Sequence, residues 1–425
     1  MLAPSISGNL QQTTNYKVVL PFYIYATLAF FVASTLLYFH TEIVNLHHFN
    51  PVTLAITHTM ALGWGTMIIL GASHQLLPVL IEGKLQSNAL AIASFVTTGL
   101  GIPLVIGSFY VMHFDWILNL GAILVNVGVL CYLINVWFSS FKSSKRNVHA
   151  WYMLIASLWL FLTTVFGFLL AINFTVSILP SNSLEYLSIH AHLGIVGWFL
   201  LLVIGVGSRL IPMFLISKYT NDKTLWWILI LINLALVIFI ACAVISMNAL
   251  LHFIPVGLIL IALLLFANHI RKAYHVRIRK QVDNQMKLSI IAVLQTILPV
   301  FILICALITL QKNPFNIPIL YGFMLFFGWL TALIMGMTFK TLPFIVWNKT
   351  YHAKAHAGKT PAPKDLFSER FYQIMFISYI FGFILFSIGV IISTEIILRI
   401  GAIFILNAAI FYTLNTFKTL YHKPN

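Results

Sequence analysis

Apolar residues in this 425-residue chain neither alternate nor form one-sided stripes; they fill long runs separated by short polar breaks. A helix needs about 20 consecutive apolar residues to cross roughly 30 Å of hydrocarbon. Twelve runs have the length, near 18–39, 51–80, 87–110, 116–139, 151–178, 188–216, 224–247, 250–270, 287–311, 317–347, 371–393 and 396–418. Lipid offers no water to a bare N–H or C=O, so each run is expected to be a helix. The pattern predicts an all-α polytopic membrane protein with twelve transmembrane helices, a single transmembrane domain over 1–425. The breaks are too short for a soluble domain. The longest, Asn348–Arg370, holds two prolines and several lysines and is expected to be mobile.

One signature recurs three times inside these runs: Gly-Trp, a Gly seven residues after the Trp, and a Pro fourteen after it. The copies are Gly63-Trp64, Gly71 and Pro78; Gly197-Trp198, Gly205 and Pro212; and Gly328-Trp329, Gly336 and Pro343. They mark the second, sixth and tenth spans. An even number of spans separates the copies, so all three point the same way across the membrane. The expectation is three parallel pseudo-repeats of four helices, about 18–145, 146–285 and 286–420, unlike the inverted repeats of many transporters. The glycines let helices approach closely. The prolines are expected to kink or end the helices.

Charge then sets the orientation. The net charge is +15, with 60% of residues hydrophobic and 8% charged. With the spans above, every Lys and Arg except Lys312 and Arg399 falls on the side holding both termini. Glu42, Asp115, Glu185 and Glu395 lie opposite. The positive-inside rule predicts cytoplasmic N- and C-termini, and the basic runs read as topology determinants near anionic lipid, not as a nucleic-acid site. The expected location is a bacterial inner membrane. The start is polar (Gln11, Gln12, Asn15), so no cleaved signal peptide is expected. Cys131, Cys242 and Cys305 stand apart, and no Cys-x-x-Cys-His occurs, which excludes covalent c-type heme attachment.

The candidate chemistry is histidine. His58 and His192 each stand six residues before the signature Trp, while the third copy has Phe323. At 1.5 Å per residue His58 lies roughly 10 Å inside the second span. Ionisable groups at that depth usually face the bundle interior. Two neutral imidazoles at one level on neighbouring helices have the chemistry of axial heme ligands, and the plain alternative is hydrogen bonding to a carbonyl or hydroxyl. His190 is two residues from His192, about 200° round a helix, and so faces elsewhere. His47 and His48 are adjacent on an outer loop and make a copper site or simply wet loop residues. His113 and His252 read as interfacial. The position eleven after the Trp, occupied by Gln75, Arg209 and Lys340, reads as polar groups snorkelling to the interface, with His74 beside a cytoplasmic entrance. His352 and His356 read as loop residues.

The segment His58-Thr59-Met60…Trp64…Gly71-Ala72…Leu77-Pro78 resembles the second helix of heme–copper oxidases, especially nitric-oxide reductase large subunits. His190-Ala191-His192…Gly197…Pro212 looks like their His-Gly-His helix. Twelve helices in three parallel arcs is also that superfamily's architecture, and a group of nitric-oxide-response membrane heme proteins shares the plan. The resemblance implies a heme b with His58 and His192 as its axial ligands, and His190 as the ligand of a gas-reacting heme. It also implies a cytochrome c or quinol donor, partner subunits and, where turnover occurs, an oxidoreductase of the heme–copper type. Three features depart from the family. Its His-x-His lies in the third repeat, whereas here it lies in the second. No copper-binding histidine is found in the seventh span, and no intramembrane Asp or Glu feeds protons. The alternatives are a secondary transporter or metal permease, and a non-catalytic assembly subunit.

Overall fold

In the computed structural model, residues 14–143, 147–245, 249–308, 316–352 and 360–423 are described. They form twelve helices long and apolar enough to span a membrane. These are α1 (Tyr16–Phe39), α2 (Pro51–Leu80), α3 (Asn88–Tyr110), α4 (Trp116–Lys142), α5 (Val148–Asn173), α6 (Leu187–Leu215), α7 (Asp222–Val244), α8 (Leu250–His275), α9 (Asn284–Ile308), α10 (Asn316–Tyr351), α11 (Glu369–Ile392) and α12 (Glu395–Leu420). Each span predicted from the apolar runs has its helix, with ends shifted by a few residues. The protein is therefore an all-α integral membrane protein in contact with the bilayer.

Many starts are fixed by polar caps. Asn50, Ser87, Asn147, Asn221 and Ser368 each accept a hydrogen bond from the N–H three residues on, satisfying one of the donors that a helix start leaves unpaired. At the other end the prolines act unequally. α2 and α6 stop two and three residues beyond Pro78 and Pro212, but α10 runs on through Pro343 to Tyr351. The helix that continues is anchored there: Lys340 forms an ion pair with Asp283, and Trp347 Nε1 donates to Pro361 O at 2.6 Å. The connection expected to be mobile is thus packed in its second half, where Leu366 and Phe367 are buried. Residues 353–359, including His356, lie outside the described residues.

The three signature helices form the inner ring. The residues just after the Trp meet on its axis: a Cβ added at Gly65 would lie 2.7 Å from Leu330 Cδ2 and 2.8 Å from Phe199 Cε1. A larger residue at that crossing would force both side chains to shift. The tryptophans then bridge the ring in one rotational sense. Trp64 Nε1 donates to Thr331 Oγ1 of α10 at 3.1 Å, and Trp198 Nε1 donates to Thr66 Oγ1 of α2 at 3.2 Å. Both acceptors stand two residues after a signature Trp. The third member of the set would run from Trp329 to α6, where Leu200 has no acceptor, and Trp329 Nε1 is buried without a partner.

The glycines seven residues after the Trp seat the inner ring on the first helix of each repeat. Gly71 meets Phe22 of α1, Gly205 meets Tyr152 of α5, and Gly336 meets Ser289 of α9. The outer helices pack as neighbours in chain order, and α12 closes the circle against α1. The equivalent glycines of the three signature copies thus each meet a side chain of an outer helix.

Candidate functional site

In all three signature helices the α-helical pattern gives way to π-type hydrogen bonding, over Thr59–Thr66, Leu193–Leu200 and Met324–Leu330. Each π segment starts immediately after His58, His192 or Phe323. Short π segments are rare and concentrate at functional sites. Here they place the residue six before the Trp at a change in helical phase.

His58 and His192 are held alike. Each donates Nδ1–H to the carbonyl four residues earlier, His58 to Leu54 O and His192 to Ser188 O, both at 2.8 Å. A carbonyl only accepts, so the neutral ring keeps its lone pair on Nε2. Fixing one nitrogen on a carbonyl while the other is left to bind is the arrangement found in metal-ligating histidines.

The structure adds a third histidine to the pair expected by sequence. A cavity of about 480 Å³ opens between α2 and α6, backed by α3, α4 and α5 and faced by α10. His58, His190 and His192 all line it, and His190 lies within electrostatic range of His58. His190 stands eight residues before Trp198. Its ring is pressed against Gly167 of α5, where an added Cβ would lie 2.7 Å from its Cε1. Its Nδ1 is buried beside the Thr163 carbonyl without reaching hydrogen-bond geometry. Phe109 stacks on His58, with ring centroids 4.5 Å apart. The other walls are almost wholly apolar, Asn126, Thr163 and Thr164 being among the few polar groups.

His192 has a second neighbour. Its Nε2 lies 3.2 Å from the hydroxyl of Tyr321, which stands eight residues before Trp329. One rule thus recurs: the residue six before the Trp on one signature helix shares a cavity with the residue eight before the Trp on the next. The rule gives His58 with His190 between α2 and α6, and His192 with Tyr321 between α6 and α10. At the third junction Phe323 and Ile56 hold these positions. There the rings of Phe386, Phe327 and Phe383 crowd Phe323 at centroid distances of 4.4, 5.3 and 5.9 Å.

The remaining candidates take other places. His48 lines the first cavity from the loop between α1 and α2, and burial with the adjacent His47 holds its pKa below the usual histidine value. The His47 and His48 rings lie 4.2 Å apart, but His47 Nδ1 accepts from Phe49 N–H at 3.1 Å, which puts the proton of the neutral ring on Nε2. Among the described residues no three His, Cys, Asp or Glu side chains converge as a metal cluster. Gln75 and Lys340 do not snorkel free: Gln75 Oε1 is buried and Lys340 pairs with Asp283. His74 is fully buried between the rings of Phe22 and Tyr132, away from any entrance. His252 lines a second cavity behind His192.

Sequence reading missed Tyr321 and the π segments. The signal for Tyr321 was its spacing from Trp329, identical to that of His190 from Trp198. The chain matches no protein-family model, and no curated protein matches it.

Proposed function

We propose that this is a cytochrome-like membrane protein that holds one b-type heme in the cavity between α2 and α6, with His58 and His190 as the nitrogen ligands. The observation that carries the proposal is that two imidazoles from different helices line one apolar cavity within the membrane-spanning region. The cavity volume falls in the range of about 300–1,000 Å³ typical of small-molecule and cofactor sites. The cramped, unpaired seat of His190 against Gly167 also fits a side chain that needs another group to satisfy it. The Leu54 carbonyl holds the His58 ring in the tautomer that a metal requires.

Bound heme would supply one-electron chemistry or gas binding, with its potential set by the axial ligands and the dry pocket. The protein's part is to orient two neutral imidazoles, exclude water with Phe109 and its apolar neighbours, and leave His192 in reserve on the same wall. Electron transfer, or reaction with or sensing of oxygen or nitric oxide, is the role this supports. It agrees with the resemblance to the heme–copper oxidase subunit I superfamily, with His190 in place of His192 as the partner of His58.

The test is an absorption spectrum of the purified, dithionite-reduced protein. The expected result is a b-type spectrum that collapses in His58→Ala and in His190→Ala. A colourless protein, or a spectrum that survives both substitutions and is lost only in His192→Ala, overturns the assignment.

A further inference from the structure

At the membrane face where α1 starts and α12 ends, the second repeat lacks, among the described residues, two contacts that its neighbours make. The first is a clamp. Asn135 of α4 accepts from Ser87 N–H at 3.0 Å and donates to Ser87 O at 2.9 Å. Asn415 of α12 does the same to Ser368, at 2.7 and 3.0 Å. Each ties the fourth helix of a repeat to the cap of its third. These asparagines stand three residues after Tyr132 and Tyr412, and Tyr412 bonds Thr338, nine residues after a signature Trp. On α8 the residue at that level is Phe266, facing Gly207, also nine after its Trp, so His269 holds the clamp position. His269 is 2% exposed and its Nδ1 has no partner. The second contact is an ion pair. Lys340, eleven after Trp329, pairs with Asp283, the cap of α9. Arg209 stands eleven after Trp198, but the matching cap of α5 is Asn147, which carries no charge.

The two missing contacts lie side by side. His149, two residues past that cap, donates Nδ1–H to Gly205 O at 3.1 Å and lies within electrostatic range of both Arg209 and His269. Lys272 lies within range of His269, and Asp222, at the start of α7, offsets one of the two cations. Arg209 and Lys272 are exposed. Two residues beyond His149 and four beyond Asp222, Trp151 and Trp226 form an exposed pair with ring centroids 6.4 Å apart.

We infer that this corner binds one anionic phospholipid, its phosphate oxygens accepting from Arg209, Lys272 and the Nδ1–H of His269. A phosphate diester suits all three: it only accepts, it brings the charge that Asp283 supplies in the third repeat, and it matches a guanidinium fork. Basic groups between spanning helices are a common setting for such headgroups. The tryptophan pair favours lipid over free phosphate as the source, because exposed tryptophans of spanning helices sit at headgroup height. The inference uses no residue of the proposed heme site and stands without it.

The test adds phosphatidylglycerol, or phosphatidylcholine with the same chains, to the delipidated full-length protein in neutral detergent and follows bound lipid by native mass spectrometry. One phosphatidylglycerol is expected, held about tenfold more tightly than phosphatidylcholine. Arg209→Gln and Lys272→Gln should each weaken it by about tenfold, the worth of one charge-assisted hydrogen bond. His269→Asn should turn to the cap of α7, as Asn135 turns to Ser87, and weaken it too. Lys142→Gln and Lys418→Gln, at the same face of the first and third repeats, should leave affinity unchanged. Lys272 is exposed, so its variant carries the test if Arg209→Gln is not monodisperse. Equal binding of the two lipids overturns the inference, as does affinity indifferent to all three site substitutions or equally sensitive to the two distant lysines. Full displacement by inorganic phosphate also overturns it, by assigning the site to the free ion.

Discussion

The tryptophan ring offers a test of the threefold plan that needs no knowledge of any ligand. Thr66→Val keeps the shape of the side chain and removes the oxygen that accepts from Trp198 Nε1. Both residues are buried, at 1% exposure each, so no water replaces the lost partner. A buried N–H left unpaired costs about 1–3 kcal/mol. Leu200 is where the ring lacks its third acceptor, beside the unpaired Trp329 Nε1. Replacing Leu200 loses apolar volume whatever follows, so the informative comparison is between the isosteres Leu200→Thr and Leu200→Val. The threonine variant should be the more stable by about 1–3 kcal/mol, because it alone supplies Trp329 with an acceptor. Equilibrium unfolding in mixed detergent micelles measures both differences. Thr equal to Val at 66 and at 200 would refute the bridging role; equality at 200 alone would refute the rotational equivalence of the three helices.

Four further outcomes are expected. Gly167→Ala puts a Cβ 2.7 Å from His190 Cε1, well inside the contact distance of about 3.5–4.0 Å for carbon pairs, so the imidazole must shift by about 1 Å. The reduced spectrum should weaken or move while the protein stays monodisperse, and an unchanged spectrum would remove His190 from the ligand set. Gly71→Ala drives a Cβ to 2.6 Å from Phe22 Cβ and should destabilise by about 1–3 kcal/mol, as overpacking does. Gly107→Ala meets nothing within 4 Å and should be neutral or stabilising by up to about 1 kcal/mol, through helix propensity. His48 has a lowered pKa in the folded protein, so its contribution to stability is complete above the unfolded value of 6.5 and lost as pH falls below it. Unfolding midpoints from pH 7.5 to 5 should decline, and His48→Phe should remove part of the slope; a slope identical in the variant rules His48 out.

The twelve helices were legible because length and hydrophobicity decide a membrane span without reference to neighbours. The signature was visible for a related reason: close helix approach leaves glycines in the sequence, Gly71 and Gly205 where the inner ring meets Phe22 and Tyr152. The composition of the site was only partly legible. A spacing of two residues predicts that His190 and His192 face apart, yet both line one cavity with His58; which helix faces meet there depends on the direction in which the inner ring is wound, a property of packing that no single segment carries. The π segments after His58 and His192 add a further shift that a 3.6-residue period cannot anticipate. Pro343 misleads for the same reason. Its helix continues because Lys340, Trp347 and Tyr351 find partners beyond it, Tyr351 on His422 at 2.8 Å.

The stacked phenylalanines Phe323, Phe327 and Phe386 form the α10 and α11 side of the first cavity. A histidine introduced at Phe323 would match His58 and His192 in register and would stand among aromatic rings, with that of Phe386 at 4.4 Å. That side of the chamber is hydrocarbon, so whatever enters it meets imidazoles of the spanning helices on α2 and α6 alone among the described residues.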